Sequence, residues 1–256
     1  MKIVILAGGL GTRLSEETDL KPKPMIEIGG QPLLMHIMRN FASQGFKEFV
    51  VCLGYKGYVI KEYFMNLRYS TSDLHFSSLK SEAVFINEST LDWKIDLIDT
   101  GEATLTGGRL KRVKEFTGGK NFILTYGDGL ADINISDLIA FHESSGSIAT
   151  VTAVTPPARF GALEIDSKNK VKVFSEKVLN SSNWINGGFF VLEQEVFNFI
   201  EGDQTTWEKE PLIELAKINK LSAYKHYGFW KPCDTLREKR ELEEIWASGA
   251  PWMNWN

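Results

Sequence analysis

The sequence predicts an α/β fold: a mixed but mostly parallel sheet flanked by helices, with a small insertion and a C-terminal helical segment. Three observations predict it. Short apolar runs rich in β-branched residues stand at Ile3–Leu6, Phe49–Leu53 and Asn121–Tyr126, and read as strands buried on both faces. Segments with apolar residues at helical spacing, Pro32–Gly45 and Gly57–Leu67, lie between the strands. Glycines follow the strands at Gly8, Gly9 and Gly11 and again at Gly127 and Gly129, where open parallel sheets gather their ligands.

The first strand leads into the most informative stretch. Gly8, Gly9 and Gly11 let the backbone approach a ligand and point successive N–H groups at an anion. Arg13 adds a planar, permanently charged donor fork. Lys21 and Lys23 each precede a proline, which favours an extended, stiff segment. Together these features make a polyphosphate cradle. A dinucleotide fingerprint would need a third glycine where Leu14 stands, and no Gly-Lys-Ser/Thr follows at P-loop spacing.

Further along, Leu33, Leu34, Ile37, Met38 and Phe41 form an apolar stripe that makes His36 a packed histidine rather than a ligand. Residues 67–92 break the strand–helix rhythm and read as an insertion, either a lid or an oligomer contact. Thr106 reads as an N-cap before Gly107, Gly108 and Arg109. Asp128 sits between Gly127 and Gly129 at the end of a strand, where it can touch a metal or a sugar. Ser136 reads as the cap of a short helix, Ile148–Val154 as a strand, and residues 163–166 and 171–174 as a hairpin. Asn186-Gly187-Gly188 interrupts an apolar strand, which suggests a ligand close by. Residues 193–200 and 209–218 read as helices and 221–226 as a strand. Asp234-Thr235 opens a charged final helix, followed by an aromatic tail.

The 256 residues suit a single domain spanning 1–256, and a hydrophobic content of 43% supplies a full core. The formal net charge of −4 offers no general attraction to nucleic acid or to an anionic membrane. No apolar stretch has the length of a membrane span, and the first strand begins at once, so a cytoplasmic location is expected. Cys52 and Cys233 read as reduced thiols. His36, His75, His142 and His226 are scattered without metal-ligand spacing, and no nucleophile motif is present. A phosphate loop, several cations and two well-placed aspartates suit phosphoryl or nucleotidyl transfer, where positioning and charge neutralisation do most of the catalysis.

G-G-x-G-T-R-L at Gly8–Leu14 and K-P-K-P-M at Lys21–Met25 resemble the signature of the sugar-1-phosphate nucleotidyltransferases. The resemblance continues through TGGR at Thr106–Arg109, NGGFF at Asn186–Phe190, TTWEKEPL at Thr205–Leu212 and FWKPCDT at Phe229–Thr235, which resemble the cytidylyl branch. It implies the Rossmann-like nucleotidyltransferase fold and transfer of CMP from CTP to glucose 1-phosphate, in deoxysugar synthesis for surface polysaccharide. By resemblance Leu6, Ala7, Gly8, Gly9, Gly11, Thr12 and Arg13 wrap the nucleotide, with Lys23, Thr106, Gly108, Arg109, Gly127 and Asp128. Arg13, Lys23 and Lys177 carry catalysis, and Asp128 and Asp234 hold Mg²⁺. Gly161, Glu176, Lys177 and Asn186 line the sugar-phosphate side. Where relatives show Glu-Lys-Pro, this chain has Glu176-Lys177-Val178. A homo-oligomer is expected. Other readings of the residues are a UTP- or dTTP-dependent enzyme and a non-catalytic nucleotide-sugar binder. For base choice the expectation falls on Arg109. An arginine has only donors, cytosine presents two acceptors on its pairing edge, and uracil presents a donor there.

Overall fold

The computed structural model describes residues 1–9, 11, 14, 18, 20–86, 91–156, 162–165, 170–175 and 184–253, the hairpin 162–165/171–175 by its backbone only. In chain order the elements are β1 (Ile3–Leu6), a 3₁₀ turn (Lys23–Met25), β2 (Glu27–Ile28), β3 (Gln31–Pro32), α1 (Leu33–Ser43), β4 (Glu48–Leu53) and α2 (Gly57–Thr71). Next come β5 (Asp73–Ser77), β6 (Glu82–Ile86), β7 (Lys94–Asp99), α3 (Thr106–Arg112), β8 (Phe122–Tyr126), β9 (Gly129–Ala131), α4 (Ile135–Ser145) and β10 (Ala149–Val154). The chain continues with β11 (Ala162–Ile165), β12 (Val171–Ser175), β13 (Ile185–Leu192), α5 (Glu210–Lys217), β14 (Leu221–Lys225), β15 (Trp230–Pro232) and α6 (Leu236–Ala247).

Seven strands form the main sheet in the order β14-β10-β13-β8-β1-β4-β7. β8, β1, β4 and β7 pair in parallel, as do β10 and β14, while β13 runs antiparallel to both of its neighbours. The continuous apolar strands follow from burial on both faces. Ile3 and Ile5 enter one core cluster with Phe49, Val51 and Ile123, and Val4 and Leu6 enter the other with Val50, Cys52 and Leu124. α1 covers the first face with Leu33, Leu34, Ile37 and Phe41. His36 is fully buried there, as its stripe predicts. The aromatic tail docks on its own chain: Trp252 is fully buried against His36, Phe229 and Trp246. Both cysteines are free and buried, and burial pushes each thiol up to about 12.

Several local readings change. Asn134, not Ser136, caps α4, its side chain accepting from the Asp137 N–H at 3.1 Å. Lys23 lies in a 3₁₀ turn rather than an extended segment, because Met25 N–H bonds the Pro22 carbonyl at 2.8 Å and Ile26 N–H bonds the Lys23 carbonyl at 3.0 Å. Gln194–Phe199 is 3₁₀ rather than α-helical. The insertion forms a separate hairpin of β5 and β6, with Phe76, Val84 and Ile86 exposed. No described helix is long and apolar enough to cross a membrane.

Candidate active site

The carboxyl ends of β1 and β8, brought level by the pairing of Leu6 with Tyr126, open into a cleft of about 510 Å³. Leu6, Ala7, Gly8, Gly9, Gly11, Lys23, Thr106, Arg109, Gly127, Asp128 and Asp234 all line it. Thr12, Arg13, Gly161, Glu176 and Lys177 lie outside the described residues.

Asp128 and Asp234 are far apart in the chain, and a small antiparallel ladder joins them. β9 pairs with β15, Gly129 opposite Pro232, and the Cys233 N–H donates to the Asp128 carbonyl at 2.9 Å. The two carboxylates then converge on one cation. Lys23 Nζ bonds Asp128 Oδ2 at 2.5 Å and also bonds Asp234 Oδ1. Pro24 packs on Gly127, where a Cβ would lie 2.8 Å from the Pro24 ring, so the lysine turn rests directly on the aspartate turn. Burial by itself pulls the Lys23 ammonium down. The two carboxylates more than offset that, and its pKa stands above the usual lysine value. Lys21, by contrast, pairs with Glu27 at 2.8 Å on the surface and does not line the cleft.

Arg109 occupies a different setting. It is 4% exposed, and its terminal nitrogens are met by main chain. Nη1 donates to the Leu53 carbonyl at 3.0 Å, Thr100 Oγ1 at 2.8 Å and the Gly101 carbonyl at 2.7 Å. Nη2 donates to the Gly8 carbonyl at 2.9 Å and the Glu102 carbonyl at 3.1 Å. Gly8 and Gly54 leave the space the guanidinium fills, since a Cβ on either would overlap it. These bonds from Nη1 and Nη2 hold the first glycine loop against residues 100–102, while Arg109 also lines the cleft.

The second glycine pair has a similar explanation. A Cβ on Gly107 would lie 2.8 Å from the Thr205 carbonyl oxygen, and one on Gly108 2.5 Å from Asp203 Cα, so these glycines admit the chain's own backbone. Gly108 does not line the cleft. Thr106 is not the helix cap, which is Leu105; its hydroxyl donates to Glu208 Oε2 at 2.6 Å and accepts from the Trp207 N–H at 2.9 Å. Gly188 has φ 82° and lies against the Tyr126 ring, so the Asn186-Gly187-Gly188 segment is shaped by intramolecular packing. Sequence reasoning missed Tyr126 and Glu208 as site-forming residues. The Tyr126 hydroxyl donates to Glu208 Oε1 at 2.5 Å, and burial, reinforced by that carboxylate, raises its pKa. The available signal was TTWEKEPL, in which Glu208 directly follows Trp207, which is fully buried.

A glycine-lined cleft at the carboxyl ends of parallel strands, with two carboxylates and a lysine at its rim, is the equipment of a nucleotide-handling transferase. Residues 2–232 match the nucleotidyl transferase family model, and the chain belongs to that family. It is 52% identical, over the full length of both chains, to the glucose-1-phosphate cytidylyltransferase of Salmonella typhi. It is 44% identical over full length to a probable glucose-1-phosphate cytidylyltransferase of Bacillus subtilis. Among solved structures, HddC from Yersinia pseudotuberculosis superposes with a TM-score of 0.69 at 24% identity, covering 96% of this chain and 99% of that one, and supports the fold.

Proposed function

We propose that this protein transfers CMP from CTP to α-D-glucose 1-phosphate, giving CDP-glucose and pyrophosphate for deoxysugar and surface-polysaccharide synthesis. The observation that carries the reading is the convergence of Asp128 and Asp234 on one cation position at the rim of the glycine-lined cleft. The full-length similarity to cytidylyltransferases supports the choice of substrates.

The acceptor needs no strong base. The second pKa of a phosphate monoester lies near ~6, so at neutral pH it is largely a dianion. One of its oxygens bonds the α-phosphorus of CTP, the bond from that phosphorus to the bridging oxygen breaks, and the electron pair leaves with pyrophosphate. No proton has to move. The protein's task is to bring two anions together and to stabilise the departing charge.

Asp128 and Asp234 fit Mg²⁺. Two oxygens that already share one ammonium point at a common position, and Mg²⁺ favours one or two carboxylates plus substrate phosphates. When bound, the ion supplies charge neutralisation to the phosphates. Lys23 stands beside the same carboxylates, placed to donate to a phosphate oxygen. By resemblance Arg13 joins it on the triphosphate, and Gly161, Glu176, Lys177 and Asn186 serve the acceptor. The nucleotide substrate and the buried free thiols support a cytoplasmic location. The exposed apolar hairpin of β5 and β6 supports a subunit contact in a homo-oligomer rather than a lid; Phe76→Glu should then lower the mass measured by light scattering, and an unchanged mass argues for the lid.

The deciding experiment incubates the protein with Mg²⁺, each of CTP, UTP, dTTP and GTP, and several sugar 1-phosphates, while pyrophosphate is measured. CTP with glucose 1-phosphate should give the highest kcat/KM; a higher value with another pair overturns the assignment. In the same assay Lys177→Ala should raise the KM for glucose 1-phosphate more than that for CTP, and the reverse ranking moves Lys177 to the nucleotide side.

A further inference from the structure

Glu208 does not line the cleft, yet it lies behind two residues that do, Thr106 and Tyr126. The hydrogen bonds around it have a single direction. Asn186 Oδ1 accepts from the Gly188 N–H at 2.8 Å, which fixes the amide so that Nδ2 faces the Tyr126 hydroxyl at 3.4 Å. Tyr126 then donates to Glu208 Oε1 at 2.5 Å. From the opposite side the Trp207 N–H donates to the Thr106 hydroxyl at 2.9 Å, and that hydroxyl donates to Glu208 Oε2 at 2.6 Å. Each hydroxyl receives from a nitrogen and gives to the carboxylate. Both arms end on Glu208, at lengths proper to charge-assisted O–H···O⁻ bonds.

By resemblance the two arms serve opposite sides of the reaction. Asn186 is exposed beside Gly187 and Gly188, and the resemblance assigns it to the acceptor. Thr106 begins α3, and the loop before it, Glu102–Leu105, forms a wall of the nucleotide cleft. That wall rests on the same segment as Glu208: the Leu105 N–H bonds the Asp203 carbonyl at 2.8 Å, and the Gly107 N–H bonds the Thr205 carbonyl at 2.9 Å. Three residues into α3, Arg109 grips the Gly8 carbonyl. One carboxylate therefore joins the acceptor side to the nucleotide wall through two short bonds, and a shift of either hydroxyl is felt by the other.

We infer that Glu208 is a positioning residue that couples the two substrates, so that nucleotide held against the 102–106 wall sets Tyr126 and Asn186 for the sugar phosphate. The inference rests on the reaction proposed above. Coupling between sites is reciprocal, so either substrate should tighten the other. A glutamine at 208 keeps the shape but presents a donor to one of two hydroxyls that already receive a hydrogen bond, which breaks one arm.

The test measures Kd for glucose 1-phosphate by calorimetry, with Mg²⁺, in the absence and presence of saturating α,β-methylene-CTP. Wild type should show tightening of about tenfold, within the ordinary range of coupling between sites. Glu208→Gln should reduce it to roughly twofold or less while the Kd for the nucleotide analogue alone moves by less than about threefold. Thr106→Ser, which keeps the hydroxyl, should retain the coupling, and Thr106→Val should lose it. Glu208→Gln combined with Tyr126→Phe should lose no more than either alone. A role in stability only predicts a lowered Tm with coupling intact, and that result overturns the inference, as does a wild type without coupling. Turnover separates the two levels. If wild type prefers another nucleotide and sugar phosphate, the functional reading fails and the coupling is measured with that pair. If no pair is turned over, both fail.

Discussion

Lys23 and Arg109 are both cations at the same cleft, and they are held in opposite ways. Lys23 bonds two carboxylates, so its charge is more than compensated by its partners. Arg109 bonds four carbonyls and a hydroxyl through Nη1 and Nη2, and among the described residues these bonds reach no anion. Carboxylates that share an ammonium can exchange it for another cation, whereas a guanidinium that ties four carbonyls together cannot be removed without losing the charge-assisted bonds that join those segments. The first arrangement suits a site where charge is rearranged during a reaction. The second suits a brace, and burial lowers the Arg109 pKa without removing a proton that arginine does not give up.

The comparison can be broken most sharply at the carboxylates. Asp128→Asn or Asp234→Asn should lower kcat by about a thousandfold or more, equivalent to ~4 kcal/mol of transition-state stabilisation, and EDTA should abolish turnover of the wild type. Full activity of either variant in magnesium removes that carboxylate from the mechanism. Lys23→Met should come next, with a loss of about a hundredfold in kcat/KM. It also leaves two carboxylates facing each other, so its Tm should fall in EDTA and recover when Mg²⁺ is added. No recovery means that the carboxylates do not share a cation position.

Arg109→Met supplies the contrast. Its Tm should fall with no metal rescue, by an amount corresponding to about 3 kcal/mol for the lost hydrogen bonds from a charged donor. The kcat/KM values for CTP and UTP should fall together, by roughly tenfold each, because the glycine loop loses its anchor. A selective loss of CTP use would make Arg109 the base reader.

The smallest effect tests the same rule away from the substrates. His36, like Arg109, is buried among neutral partners, but one of them is a donor. Nε2 faces the Ile28 carbonyl at 2.8 Å, and Trp252 Nε1 donates to Nδ1 at 3.3 Å. A second ring proton would oppose the indole N–H. Burial lowers the His36 pKa; the nearby charges of Arg39 and Glu243 act in opposite directions, and the net shift remains downward. The unfolded chain then binds the proton first as pH falls, so this stability is present above about 6.5 and is lost below it. His142 is shifted the same way and adds to the trend. Wild-type Tm should drop by a few degrees between pH 7 and 5.5, and His36→Gln should flatten part of that slope. Equal slopes would clear His36 of the effect.

Much of the fold was legible because its signals are local. Ile3–Leu6 and Asn121–Tyr126 read as strands since burial on both faces demands an unbroken apolar run, and the α1 stripe placed His36 in the core. The first glycine loop was legible as a cleft wall because few other tasks require that cluster after a buried strand. Glycine, however, reports that something approaches closely and not what approaches. Gly107 and Gly108 make room for the backbone of Asp203 and Thr205, and Gly8 for a guanidinium. Capping by Asn134 and the role of Thr106 turned on hydrogen bonds that several hydroxyls and amides could have made. The sequence by itself determined the strands, the glycine loop and the residue types proposed to handle phosphate. Only the tertiary structure decided which partners those residues meet: the β9–β15 ladder that joins Asp128 to Asp234, the carbonyls that occupy Arg109, and the carboxylate of Glu208 between Tyr126 and Thr106. Periodicity is written within a few turns or strands of chain, whereas a charged or hydroxyl side chain takes its role from the groups that folding carries to it from a hundred residues away.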